Sequence, residues 1–145
     1  MGHLIYVIGP DNNPIELQAD VNGNLKTVVS ALPGTVLNTP SAAITASATS
    51  LNLSVGAFRE LAVDVNISAI TGTTPTYQLL IDRLGADGIW YNIYTGASIT
   101  AVGVISLNLG ANLSTNVSFG NTIRIREVVG GTTPSVTRSV SILGK

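Results

Sequence analysis

Apolar and polar residues alternate with a period of two along most of the chain. The clearest run extends from Leu61 to Ala69, where Leu, Val and Ile alternate with Ala, Asp, Asn and Ser. Because successive side chains of a strand point to opposite faces of a sheet, this pattern predicts a strand with one buried face. The alternation predicts further strands, and the set after residue 40 is 41–50, 51–57, 59–70, 75–84, 89–94, 98–109, 121–129 and 134–142. Before residue 40, short strands are predicted at 3–8, 15–19 and 25–29. No segment carries a helical stripe, so the sequence predicts almost no helix.

Gly, Pro, Asn and Asp separate these strands at short intervals, which is typical of antiparallel sandwiches and barrels. Gly85-Ala86-Asp87-Gly88 supplies residues that tolerate the positive φ angles of a short hairpin. The predicted fold is therefore all-β: an antiparallel β-sandwich, jelly-roll-like, of about eight strands, with an extended N-terminal arm.

A short internal repeat marks two turns. Ile70-Thr71-Gly72-Thr73-Thr74-Pro75-Thr76 recurs as Val129-Gly130-Gly131-Thr132-Thr133-Pro134-Ser135. We interpret the two copies as equivalent corners of one sandwich, because Gly and Pro favour turns through their backbone geometry alone. This interpretation pairs 59–70 with 75–84, and 121–129 with 134–142, as two hairpins. A pair of matched binding loops is the alternative.

The first 40 residues differ from the rest of the chain. Pro10, Pro14, Pro33 and Pro40 interrupt the apolar runs, and Ser30 to Ser41 is predicted to be an extended linker. We therefore expect residues 1–40 to form an N-terminal arm or small β-element for intersubunit contacts, and residues 41–145 to form the sandwich domain.

The chain carries few charges. Charged residues make up 10% of it, against about 25% in an ordinary globular domain. No charge occurs from Thr27 to Phe58 or from Gly88 to Ile123. Charge depletion is a property of the centre of protein interfaces, whereas a free monomer needs a charged surface for solubility. We expect part of this surface to be covered by other protein copies.

Charge and hydropathy argue against two classes of partner. The formal net charge is −1 and the cations are scattered, so no nucleic-acid footprint is expected. Mean hydropathy is +0.41, but no apolar run reaches the roughly 20 residues of a spanning helix, so no membrane partner is expected. The first residues lack a basic segment followed by a long apolar stretch, so we expect no signal peptide.

The sequence offers no convincing catalytic, cofactor or metal residues, and we predict a protein that is not an enzyme. Cysteine is absent and His3 is the one histidine. Glu60 and Asp64 share a strand face but stand about 13 Å apart, which is too far for joint chelation. Asp82 and Asp87 flank the Gly85–Gly88 turn, where solvated aspartates are common.

Two side-chain groups have a structural and a functional interpretation. Trp90 and Tyr94 share a strand phase, so we favour core packing for them. The alternative is that they stack on sugar rings together with Tyr91. Arg124 and Arg126 share a strand face, and we expect them to form a small solvated or intersubunit ion-pair group with Arg138 and Glu127.

A family resemblance covers residues 59–145. The motifs that carry it are Phe58-Arg59-Glu60-Leu61, Gly72-Thr73-Thr74-Pro75-Thr76, Gly88-Ile89-Trp90-Tyr91, Ile123-Arg124-Ile125 and Gly131-Thr132-Thr133-Pro134-Ser135. This order resembles a small β-sandwich family of tailed-bacteriophage virion proteins, especially head decoration (cement) proteins. The resemblance implies a homotrimer that is made in the host cytoplasm, sits on the outer capsid of the virion and clamps the major capsid protein. A tail or baseplate subunit and a host-glycan-binding module of a virion fibre remain alternatives.

Overall fold

The computed structural model describes residues 5–8, 14–19, 25–26, 34–110 and 117–145. The chain divides into two compact units, Met1–Ala31 and Leu32–Lys145. The first unit contains a three-stranded antiparallel sheet in the order β1-β2-β3. Its strands are β1 Ile5–Ile8, β2 Pro14–Ala19 and β3 Leu25–Lys26.

The second unit is a seven-stranded antiparallel sheet, and the residues described in it form no helix. Its strands are β4 Gly34–Ile44, β5 Ala48–Thr49, β6 Leu53–Ser54, β7 Glu60–Leu84, β8 Trp90–Thr95, β9 Gly103–Gly110 and β10 Thr122–Gly144. The alternation of buried and exposed residues in β7 and β10 follows the period of two that the sequence shows. The predicted all-β fold class is confirmed.

Two long strands, β7 and β10, organise this unit. They pair with each other from Ile123↔Arg83 to Gly144↔Leu61, and their register is interrupted between Gly130 and Ser135. The interruption divides the sheet into two halves. Layer A contains residues 60–70 of β7 and 135–144 of β10, with β4 and β9 beside them. Layer B contains residues 76–84 of β7 and 122–130 of β10, with β5, β6 and β8 beside them.

The inward side chains of both layers belong to one apolar cluster, so the sheet folds over at the interruption and forms a sandwich. Layer A contributes Leu61, Val63, Val65, Ile67, Leu107, Leu109, Val136, Val140 and Ile142. Layer B contributes Tyr77, Leu79, Ile81, Ile123 and Ile125, and Val55 and Phe119 complete the buried set. Burial of this continuous apolar surface is the main source of stability for such a fold.

The predicted hairpins within 59–84 and within 121–142 are wrong. Each repeat lies inside one continuous strand, and the two repeats lie side by side. Gly72 has φ 124° and Gly131 has φ 108°, values that L side chains rarely adopt. A Cβ on Gly72 would stand 2.8 Å from the Thr133 carbonyl oxygen, and one on Gly131 would stand 2.7 Å from that of Thr74. This reciprocal close approach gives the repeat a structural role at the bend.

The predicted linker from Ser30 to Ser41 is also wrong for its described part. β4 begins at Gly34 and pairs with β10, and Val36 and Leu37 pack against the core. Pro40 falls where the register shifts between Thr39 and Ala42. Proline lacks the N–H that a ladder needs, and an edge strand tolerates it at such a shift. The sandwich unit therefore starts before residue 41.

Other predicted strands change in extent. Of the predicted strands 41–50 and 51–57, the part after Ile44 contains only the short strands β5 and β6. The predicted strand 98–109 corresponds to β9, which starts later, at Gly103. The Gly85–Gly88 hairpin is confirmed: the N–H of Gly88, at φ 78°, donates to the Gly85 carbonyl at 3.0 Å, and Leu84 pairs with Trp90.

Candidate functional site

A polar cluster lies on the outer face of layer B, on the side of the sheet away from the core. Arg124 of β10, Asp82 of β7 and Asn92 of β8 occupy directly paired positions across three neighbouring strands. Arg126 follows Arg124 on the same face, and Trp90 stands two residues before Asn92. These five residues are called the outer cluster below.

Asp82 is the centre of the outer cluster and is only 2% exposed. Its Oδ2 accepts from Arg124 Nε at 2.9 Å and from Arg126 Nε at 2.6 Å. Its Oδ1 accepts from Arg126 Nη2 at 2.9 Å and from Asn92 Nδ2 at 3.1 Å. Charge-assisted hydrogen bonds of this kind stabilise a buried carboxylate that would otherwise be costly.

These donors keep Asp82 ionised. Burial raises the pKa of this carboxyl, but the hydrogen bonds from Arg126, Arg124 and Asn92 outweigh it and lower the pKa to about 2. A carboxylate that holds four donors and has so low a pKa is a poor general base at neutral pH. The outer cluster can bind an anionic group, but it is not arranged to move protons.

Arg124 is held from a second side by Trp90, whose ring centre lies 4.4 Å from the guanidinium carbon. Such a cation–π contact fixes the guanidinium plane. Asp82 engages only Nε of Arg124, and it engages Nε and Nη2 of Arg126. The Arg124 and Arg126 side chains remain 28% and 33% exposed. Two guanidinium charges against one carboxylate leave the outer cluster with a net charge of +1.

A second ion pair lies inside the sandwich. Arg138 of layer A donates from Nε and Nη2 to the two carboxylate oxygens of Glu127 of layer B, both at 2.5 Å. Tyr77 donates its hydroxyl to Glu127 Oε1 at 2.9 Å, and burial together with the Glu127 charge raises the pKa of Tyr77. Arg138 and Glu127 are 6% and 7% exposed. This pair joins the two layers and has a structural role.

The predicted single group of Arg124, Arg126, Arg138 and Glu127 is therefore wrong. Arg124 and Arg126 precede the bend in β10 and face outward. Arg138 follows the bend and the register shifts, and it faces the core. The expected solvated Asp82 is wrong as well, since it is buried beneath the arginines. Asp87, in contrast, is exposed and accepts from the Tyr91 hydroxyl at 2.5 Å and the Ile89 N–H at 3.0 Å, contacts that lower its pKa.

Trp90 is not a core residue, contrary to the prediction. It is half-buried on the outer face beneath Arg124, whereas Tyr94 packs partly against the core. The register of β8 explains the difference: Asn92 pairs with Asp82 but Tyr94 pairs with Ile81, so one extra residue bulges between them. A bulge moves all following side chains to the other face, and the sequence alternation alone does not reveal it.

The remaining candidates from the sequence add no chemistry here. His3 lies outside the described residues. Within the described part of the chain, no group of three or more His, Asp or Glu side chains is placed to hold a metal ion. Among the described residues, no helix is long and apolar enough to cross a membrane.

Sequence reasoning found Arg124 and Arg126 but missed Asp82 as their partner. The partner stands 42 and 44 positions away along the chain. One signal was present: Asp82 follows Ile81 in a strand whose inward residues are Tyr77, Leu79 and Ile81, so Asp82 had to lie on the outer face.

Comparisons with known proteins add little to this description. No family model matches the chain, and no curated protein matches it. The chain is similar to a solved structure, that of the SPBc2 prophage-derived protein YomS, at 18% sequence identity and a TM-score of 0.43. The similarity covers 80% of this chain and 99% of that chain. A TM-score this low, at this identity, carries no argument about the fold or function of the present chain.

Proposed function

We propose that this chain is a non-enzymatic virion structural protein of a tailed bacteriophage, a decoration or cement protein that binds the outer capsid. In this role a homotrimer bridges neighbouring copies of the major capsid protein and stabilises the shell against the pressure of packaged DNA. The contacts are non-covalent.

The observation that carries the proposal is the outer face of layer A, which carries few charges. Its outward positions hold Ala62, Asp64, Asn66, Ser68, Val104, Ser106, Asn108, Ser139 and Ser141. Glu60, at the start of β7, lies on the same face, so Glu60 and Asp64 are the two charged residues described on this face of long, regular strands. Small neutral side chains allow another protein surface to approach closely, and charge depletion is typical of interface centres.

The resemblance of residues 59–145 to head decoration proteins supports the same assignment, and the two kinds of support are independent. The separate compact unit Met1–Ala31 offers a second element for binding, which we assign to contacts with coat subunits.

The glycan-binding alternative has less support. A tryptophan that stacks on a sugar needs an open ring face. One face of Trp90 is covered by the Arg124 guanidinium, and the residue is half-buried. A tail or baseplate subunit remains the second candidate, because a neutral, self-associating β-sandwich suits a ring or tube equally well.

Binding to undecorated capsids tests the proposal directly. The full chain and a variant that lacks residues 1–31 are mixed with capsids, and the bound fraction is measured by co-sedimentation. We expect the full chain to bind and to raise the temperature at which capsids release DNA, while the truncated chain remains folded and fails to bind.

A different result would contradict the proposal in a recognisable way. Equal capsid occupancy by both chains would remove the role given to residues 1–31. Rings or tubes of the purified protein in electron micrographs, with no capsid binding, would favour the tail or baseplate candidate.

A further inference from the structure

We propose that the outer cluster of one copy binds the Asp64 face of a second copy, so that the chain self-associates through two different surfaces. The first surface is the outer face of layer B around Arg124, Arg126 and Trp90. The second is the outer face of layer A around Asp64. The contact specifies the self-association that the proposed function requires, and it can be tested without capsids.

The first surface is preorganised for a carboxylate. Asp82 and Trp90 hold the two guanidinium groups side by side, so little side-chain entropy is lost when an anion binds. The terminal nitrogens of Arg124 and Nη1 of Arg126 are not used by Asp82. Arginine and tryptophan are also the residue types that contribute most binding energy at protein interfaces.

The second surface presents the carboxylate of Asp64, with that of Glu60 four residues before it on the same face. Asp64 is exposed, and Ser106 Oγ donates to its Oδ1 at 2.6 Å. Its directly paired neighbours are Ser141 and Ser106, and no ion pair of the described residues includes it. Glu60 lies on the same face of β7, and the two carboxylates complement the charge of +1 on the outer cluster.

Shape supports the same pairing. Around Asp64 the outward side chains are short, chiefly Ser, Asn and Ala, whereas the outer cluster projects long arginines. Sheets that pack face to face stand about 10 Å apart, a distance that arginine on one side and aspartate on the other can bridge. A nucleic-acid partner is a weaker fit, because a phosphate backbone needs several cations in a row.

The two surfaces differ, so the contact is heterologous. Heterologous contacts close into rings or continue into open assemblies, in contrast to self-complementary dimer contacts. A cyclic trimer is one of the closed forms. The outer cluster of each copy then binds the Asp64 face of the next.

Sedimentation equilibrium over a concentration series tests the contact at low ionic strength. We expect the wild-type chain to form species heavier than a monomer, and Arg124→Gln and Asp64→Asn each to raise the dissociation constant by about tenfold or more. A matched control, Arg59→Gln, removes the same charge as Arg124→Gln from an exposed site away from the outer cluster and should change the dissociation constant by less than about twofold.

Mixing two charge-reversal variants tests whether the two surfaces contact each other or whether each contacts its own counterpart in the second copy. Asp64→Arg and Arg124→Glu should each be monomeric alone, and an equimolar mixture should associate, since the intact outer cluster of the first meets the intact Asp64 of the second. Asp64 is exposed, so its variants keep the fold. The Asp64 variants therefore test the contact even if Arg124→Glu does not fold. Thermal unfolding monitored by circular dichroism shows whether Arg124→Glu is folded.

Three results would overturn the inference. They are a wild-type chain that stays monomeric throughout the series, an Asp64→Asn variant that associates as strongly as the wild type, and an Arg124→Gln variant that does so. A monomeric wild type that uses these arginines to bind a different acidic protein would also overturn it. None of these results bears on capsid binding, which is measured separately.

Discussion

The two ion-pair groups of the sandwich differ in their exposure to water, so substitutions in them should change stability by different amounts. Asp82 lies on an outer face under two arginine side chains that are 28% and 33% exposed, whereas Glu127 and Arg138 lie between the layers. Water can reach the arginines when Asp82 is lost. It reaches Arg138 much less readily when Glu127 is lost. Breaking the Glu127–Arg138 pair should therefore lower the free energy of unfolding more than the loss of Asp82 does.

Acid should destabilise the fold through Asp82. The pKa of Asp82 is about 2 when folded, against about 3.9 in an unfolded chain. The depressed folded pKa means that its contribution is fully present above pH ~4 and is lost as the pH falls from ~4 to ~2. That contribution is about 2.5 kcal/mol.

Chemical unfolding at a series of pH values checks this expectation. Asp82→Asn should lower stability near neutral pH and should show a smaller further loss between pH ~4 and ~2. The Asp64→Asn control should keep the acid-dependent loss of the wild type. An Asp82→Asn variant with an unchanged acid profile would contradict the assignment.

Removing one partner of the core ion pair should cost more. Arg138→Met leaves the Glu127 carboxylate buried without its cation, so we expect a loss of about 3–5 kcal/mol in the free energy of unfolding, measured by urea denaturation. The double variant Glu127→Leu/Arg138→Met removes both charges and should recover part of that loss. A double variant less stable than Arg138→Met would contradict this expectation, because Glu127 would then stabilise the fold even without its cation.

At the scale of elements, the bend in β7 and β10 depends on two glycines. Sequence analysis recognised the repeat and its turn-forming residues, but it assigned each copy to a local hairpin. Gly and Pro identify where a strand turns, but the same residues fit a hairpin and a bend within a continuous strand. The pairing of the two copies with each other decides between them, and this pairing joins Thr73 to Thr132, 59 residues further along the chain.

Gly131→Ala should destabilise the sandwich by at least about 2 kcal/mol, because its Cβ would meet backbone atoms and its φ is positive. Gly72→Ala should behave alike. Gly120→Ala, at φ 64° with no heavy atom within 4 Å of the added Cβ, should show the cost of backbone strain alone, and Gly103→Ala should be nearly neutral. Thermal unfolding of the four variants measures these differences, and equal effects of Gly131→Ala and Gly120→Ala would exclude the close approach.

At the scale of the whole molecule, every strand of the seven-stranded sheet lies after residue 33. The predicted boundary at residue 40 would cut β4, which supplies Val36, Leu37 and Ile44 to the core. The relevant truncation for functional work is therefore one that ends before β4.

A chain that lacks residues 1–31 should unfold cooperatively with a stability close to that of the sandwich in the full chain. A chain that lacks residues 1–44 should lose more than about 3 kcal/mol, because three partly buried aliphatic residues and an edge strand are removed. Differential scanning calorimetry measures both. Equal stability of the two truncated chains would show that β4 contributes little.

The sequence by itself determined the all-β class, the face on which most side chains of each strand lie, the positions of the turns and the low charge of the surface. These properties follow from local alternation and local backbone preference, which a short segment encodes. The tertiary structure alone decided that β7 and β10 are continuous partners, that Asp82 binds Arg124 and Arg126, and that Arg138 enters the core. These contacts join residues far apart in sequence, and alternation specifies a face but not a neighbour, so they depend on the register that the closed sandwich selects.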